Sequence, residues 1–121
     1  MPEKHCFFEC RNQPMDFCRL IADGYTAAFV VGEPEGLWIN RVLYEQRIRI
    51  PDDFSVVSME YPRVSDCLTP PHTTLAQDFA GLAKAAVELL GELMVHDYRA
   101  TDRLVPYRMI ERGSVKTIPG A

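Results

Sequence analysis

Ala27-Ala28-Phe29-Val30-Val31 is an unbroken apolar run that stops at Gly32. A run with no polar alternation has no face for water, which suits a parallel strand covered on both sides. Glu33-Pro34-Glu35 follows at once, with proline in a first helical turn and acids at the positive end of a helix dipole. Leu37, Trp38, Ile39, Val42, Leu43 and Gln46 continue at helical spacing for about three turns. Ile50-Pro51-Asp52-Asp53 reads as a turn, and Phe54-Ser55-Val56-Val57-Ser58-Met59 as a second strand. Between Ala27 and Met59 the pattern is therefore strand, helix, strand. The connection has the length of a right-handed crossover between parallel strands, which puts the chain in the α/β class. Gly32 and Glu60 then fall at the carboxyl ends of adjacent strands, where open α/β sheets bind their ligands.

The flanks are less regular. Residues 1–13 are polar and read as a tail, and Phe17, Leu20 and Ile21 mark a short helix that Asp23-Gly24 stops. A long loop from Tyr61 to Thr74 is broken by Pro62, Pro70 and Pro71, a length that in compact domains tends to carry function. Asp78 is placed to cap a helix whose apolar stripe is Phe79, Leu82, Ala86, Leu89, Leu90 and Leu93, ending near Val95. Tyr98 to Arg103 is a polar connector. Leu104-Val105-Pro106-Tyr107-Arg108-Met109-Ile110 reads as a strand that Pro106 confines to an edge or a bend.

Composition excludes several classes. The 121 residues carry 13 Lys and Arg against 17 Asp and Glu, a net charge of −4 that repels phosphate backbones. No stretch reaches the roughly 20 apolar residues of a membrane span, and the start lacks the apolar core of a secretory signal. A reduced, cytoplasmic setting is the expectation, and Cys6, Cys10, Cys18 and Cys67 then act as small hydrophobes. His5, Cys6, Cys10 and Cys18 offer a metal-site alternative, but without the close cysteine pairs that make zinc signatures specific. No Ser/His/Asp arrangement, phosphate loop or cofactor motif is present, so the reading is no enzyme, no catalytic residues and no cofactor.

Three segments are recognisable as a series. Ile50-Pro51-Asp52-Asp53-Phe54-Ser55-Val56-Val57 comes first, then Pro70-Pro71-His72-Thr73-Thr74-Leu75-Ala76-Gln77-Asp78, then Met109-Ile110-Glu111-Arg112-Gly113-Ser114-Val115. In that order and spacing they closely resemble the carboxyl-terminal part of the LacI/GalR family of bacterial transcription regulators, from about Tyr25 to Val115. Members of that family join a helix-turn-helix headpiece and a hinge to a two-lobed, periplasmic-binding-protein-like effector domain. The resemblance implies a three-layer αβα fold with a mostly parallel sheet, equivalent to the end of the second lobe and incomplete. It implies residues 1–24 as a tail and helix, 25–118 as the carboxyl-terminal part of the effector-binding and dimerising domain, and 73–97 as the segment crossing back to the first lobe. No helix-turn-helix is expected in the chain, so DNA would be met only through a headpiece that it lacks.

The resemblance also implies ligand residues. Glu60 falls where the family commonly has an aspartate that accepts from ligand hydroxyls or amines, and a carboxylate retains that chemistry. Gln77 and Phe79 match positions that line the cleft in some sugar-responsive members, and Gly32 a position filled by asparagine or glycine. Each has a plainer reading: Glu60 a solvated acid, Gln77 a helix cap, Phe79 core, and Gly32 a tight turn into the helix. His72 and His96 have no partner visible in the sequence.

Departures leave the effector class open between sugar-like and purine-like. Ser58-Met59-Glu60-Tyr61 replaces the family's glycine–aromatic–aspartate run, and Arg47 stands where a helix-ending glycine is usual. Family geometry makes Trp38 and Tyr61 candidates for a homodimer interface, with core packing as the equal alternative for Trp38. The expected function is the effector-sensing, dimerising portion of such a regulator. An interaction fragment that dimerises without ligand is the alternative, as is a ligand-binding protein unrelated to transcription. So short a chain leaves the Gln77–Val95 stripe without a covering sheet, which predicts self-association, with exchange of that helix or of the last strand as one route.

Overall fold

The computed structural model describes residues 15–95 and 102–119. Along them run α1 (Phe17–Ala22), β1 (Ala27–Val30), α2 (Glu33–Glu45), β2 (Ser55–Met59), β3 (Thr73–Ala76), α3 (Phe79–Val95) and β4 (Arg108–Ile110). The strands form one sheet in that order, the first three parallel and β4 antiparallel to β3. The expected strand–helix–strand unit is present as β1-α2-β2. β3 lies where the sequence reading had the end of a loop and a crossover. β4 is shorter than the Leu104–Ile110 strand expected, because pairing begins only after Pro106, which has no N–H to give a ladder.

Register explains the packing. Ala28 lies beside Val56 and Val30 beside Ser58, so these side chains share one sheet face. Ile39 and Leu43, one turn apart on α2, meet that face and join Phe17, Val30, Phe54 and Val56 in the core. The Phe17 ring lies edge-on to Phe54 at 5.6 Å between centroids, and at 6.2 Å from Trp38. Gln46 fastens α1 to the end of α2: its Oε1 accepts from the Phe17 N–H at 2.9 Å, and its Nε2 donates to the Met15 carbonyl at 2.7 Å.

The helix α2 ends on Arg47 at φ 59°, in the left-handed region. Arg47 N–H donates to the Tyr44 carbonyl and Ile48 N–H to the Leu43 carbonyl, the paired bonds of a Schellman turn. The glycine-like geometry is thus kept by a residue that carries a Cβ.

The opposite sheet face carries Phe29, Val57, Met59, Leu75 and Met109, of which Phe29 and Met109 are more than half exposed. α3 has no buried residue at all. Phe79, read as a core alternative, is 67% exposed at its first position. The αβα layering is therefore complete on one side of the sheet and open on the other.

Candidate functional site

The carboxyl edge of the three parallel strands brings most of the expected residues together. Gly32 and Glu60 each lie two residues beyond the register pair Val30–Ser58. Gln77 follows the end of β3, beside β2, and the Glu60 N–H donates to the Leu75 carbonyl at 2.9 Å. Gly32 stands at φ 113° as the N-cap of α2, a conformation that suits glycine and turns the chain from β1 into the helix. Its plainer reading is supported directly.

Glu60 is not a solvated acid. Its side chain is 16% exposed and meets Arg112, 19% exposed, in a two-pronged ion pair: Nη1 donates to Oε2 at 2.9 Å and Nη2 to Oε1 at 3.1 Å. Thr74 Oγ1 donates to the same Oε2. The Arg112 guanidinium, together with the Thr74 and Ser65 hydroxyls, holds the Glu60 carboxyl below the usual carboxylate range against the opposing pull of burial. Arg112 is itself held, with Nη1 donating to the His72 carbonyl at 2.8 Å and to Thr74 Oγ1 at 3.0 Å. Its backbone N–H donates to Thr73 Oγ1 at 2.9 Å, and Thr73 Oγ1 donates to its carbonyl at 3.2 Å.

Below this pair His72 is fully buried, with Nδ1 3.3 Å from Ser58 Oγ and Nε2 3.2 Å from Asn40 Nδ2 on α2. Burial first, and the Arg112 charge second, push its pKa down to about 4, so the ring is neutral near neutral pH. Ser114, also fully buried, closes the amino end of the β2–β3 gap. Its Oγ donates to the Val56 carbonyl at 2.5 Å and accepts the Thr73 N–H at 2.7 Å, and its carbonyl accepts the Val56 N–H at 2.9 Å.

The other expected residues are placed differently. Gln77 Nε2 donates to the Tyr107 hydroxyl at 2.8 Å, tying β3 to the segment before β4. The cap of α3 is Asp78, as expected, whose Oδ1 accepts the Gly81 N–H at 2.9 Å. Phe79 stands free of the core at the same edge. Trp38 is partly buried against the core cluster, and Tyr61, half-buried, donates its N–H to Ser65 Oγ at 2.9 Å. His5, Cys6, Cys10 and His96 lie outside the described residues, and Cys18 and Cys67 are exposed thiols. Among the described residues no group of three potential metal ligands occurs. The sequence reading missed Arg112, Thr74 and His72 as site residues, although all three sit within the segments that carried the resemblance.

A strand-end carboxylate clamped by β3 and the segment after β4 is the arrangement against which the chain can be compared with known proteins. The profile of the periplasmic binding protein-like domain matches residues 10–115. The chain belongs to that family. Within it, the relatives are LacI/GalR-type regulators. The HTH-type transcriptional repressor PurR of Mannheimia succiniciproducens is 35% identical over 92% of this chain and 32% of its own length. The lactose operon repressor of Escherichia coli is 31% identical over 72% of this chain and 24% of its own. Among solved structures, the Lac repressor dimer bound to operator and the anti-inducer ONPF superposes with a TM-score of 0.69 at 28% identity. That match covers 82% of this chain and 35% of the repressor. The chain thus spans about a third or less of the length of these two relatives. These relatives are repressors, in line with the reading that the chain is no enzyme. Among the described residues, no helix is long and apolar enough to cross a membrane.

Proposed function

We propose that the chain is the effector-sensing portion of a cytoplasmic LacI/GalR-type transcription regulator, binding a small polar, sugar-like or purine-like metabolite at the Gly32–Glu60–Gln77 edge. The observation that carries this is the ionised Glu60 carboxylate, held at the carboxyl end of β2 with its plane fixed. The carboxylate accepts from Arg112, Thr74 and Ser65, and a ligand hydroxyl or N–H would take the place of the Ser65 hydroxyl, which has the Tyr61 carbonyl at 3.3 Å as its other acceptor. Gly32 supplies room and backbone beside it, and Phe79 an exposed aromatic face at the same edge. In a longer protein the bound effector would alter how a headpiece meets operator DNA.

A ligand panel tests the reading. Thermal denaturation with D-ribose, D-galactose, adenine, guanine and single amino acids identifies a stabilising compound in the wild-type chain. Glu60→Gln, which keeps the shape and removes the charge, is expected to abolish that stabilisation while the circular dichroism spectrum is unchanged. Full stabilisation of the variant would remove Glu60 from the site.

The second reading, an interaction module that dimerises without ligand, is favoured by one observation: α3 is apolar and wholly unburied. A stable dimer that no panel compound stabilises would favour it. Trp38 on α2, partly buried against the core, and Tyr61 in the loop after β2 are then the interface residues to substitute first.

A further inference from the structure

We infer that Arg112 is the positioning residue of the effector site: its guanidinium fork fixes the plane of the Glu60 carboxylate toward which a neutral donor group of the ligand is directed. This rests on the reading of Glu60 as the ligand acceptor and names the residue that makes that role possible.

The geometry is specific to arginine. Two N–H groups of one planar group meet the two oxygens of Glu60 at 2.9 and 3.1 Å, so neither carboxylate rotation nor tilt is free. The fork is anchored in turn by the His72 carbonyl and Thr74 Oγ1, and the Arg112 backbone is clasped on both sides by Thr73 Oγ1. Three consecutive residues on or beside β3, His72, Thr73 and Thr74, therefore hold a residue that lies 52 positions from Glu60 in the chain. A lysine would bring the charge as a single point and leave the carboxylate plane free to turn.

The pairing also restricts the ligand. Arg112 cancels the charge of Glu60, so a cationic ligand gains no net Coulombic attraction there, and an anionic one meets the carboxylate oxygens. A hydroxyl or a neutral N–H can take the place of the Ser65 hydroxyl, which has the Tyr61 carbonyl as its other acceptor.

Two measurements test the inference, and the first needs no ligand. In protein labelled at arginine side-chain nitrogens, the Arg112 Nη resonances are expected to be separate and slowly averaged, the signature of a guanidinium held by two acceptors. They collapse in Glu60→Gln. In Arg112→Lys, the Glu60 side-chain carboxyl resonance is expected to titrate at higher pH than in the wild type, because the two-pronged hydrogen bond that lowers it is lost. Freely averaged Arg112 resonances in the wild type, or an unmoved Glu60 titration in Arg112→Lys, would overturn the inference. Should Arg112→Lys fail to fold, the wild-type and Glu60→Gln nitrogen spectra decide alone. The second measurement uses whichever of D-ribose, D-galactose, adenine or guanine stabilises the wild type. Arg112→Lys should weaken its binding at least about tenfold, while Arg49→Lys, at the opposite end of β2, leaves it unchanged. Equal weakening in both would overturn the positioning role. Absence of any stabilising compound with the nitrogen signature intact would count against the effector reading alone.

Discussion

Asn40 on α2 and the buried ring of His72 are joined by a hydrogen bond whose direction is determined by a third group. Asn40 Nδ2 lies 3.2 Å from His72 Nε2 and 3.3 Å from the Thr69 carbonyl, which can only accept. The amide nitrogen therefore faces the ring and donates to it, Nε2 is the unprotonated nitrogen, and Nδ1 carries the proton toward Ser58 Oγ. A second proton on the ring would set two donors against each other.

This arrangement makes stability depend on pH in a stated direction. The folded pKa of His72, about 4, lies below its ordinary 6.5, so the unfolded chain binds more protons between those values. Its contribution is complete above about pH 6.5 and falls away as pH drops toward about 4, by on the order of 2 kcal/mol after allowance for screening. The Glu60 carboxylate, also depressed, loses its contribution in the same direction at lower pH. Urea unfolding at about pH 7.5 and about pH 5 should show the loss, and His72→Gln should flatten it. An equal slope in the variant would assign the effect elsewhere.

Ser114 is expected to be costly to change. It is fully buried, and its hydroxyl serves both the Val56 carbonyl and the Thr73 N–H, so alanine leaves two backbone groups short of partners. Ser114→Ala should destabilise by roughly 1–3 kcal/mol, read as a lower urea midpoint at unchanged slope. A loss below half a kcal/mol would mean that water replaces the hydroxyl there.

Arg47 offers the opposite sign. Its φ of 59° is the conformation that glycine adopts without cost, and its side chain is exposed. Arg47→Gly should therefore raise stability by roughly 0.5–1 kcal/mol, while Arg47→Val should lower it. Thermal midpoints of the two variants give the comparison, and a lower midpoint for glycine would contradict the argument.

The β1-α2-β2 unit was legible because burial on a parallel sheet demands an apolar run, and Ala27 to Val31 provides one. β3 was not, because Thr73 and Thr74 are buried as hydrogen-bonding residues rather than as hydrophobes, and Pro70-Pro71 just before them reads as loop. Glu60 was located correctly at a strand end, but its partner Arg112 is paired across 52 residues by a sheet contact that no periodicity announces. His72 shows the same limit: its partners Asn40 and Ser58 meet it only after α2 folds over β2. Asp78 takes the helix cap that local pattern gave it, whereas Gln77 bonds Tyr107, a neighbour that only the fold brings beside it.

The unburied helix α3 supplies the last prediction. Val87, Leu90 and Met94 fall on one face of α3 and are 70%, 58% and 79% exposed. Apolar surface of this kind stabilises association by roughly 25 cal/mol per Å² when covered, whether by a second copy or by exchanged helices. The wild-type chain should gain mass with concentration in sedimentation experiments. Val87→Glu with Leu90→Glu should raise the self-dissociation constant at least about tenfold, equivalent to about 1.4 kcal/mol. Folding of the monomer should be unaffected, because neither side chain is buried within one chain. A wild-type chain that sediments as a monomer at every concentration would show that this helix face tolerates water, and the self-association argued from it would have to be given up.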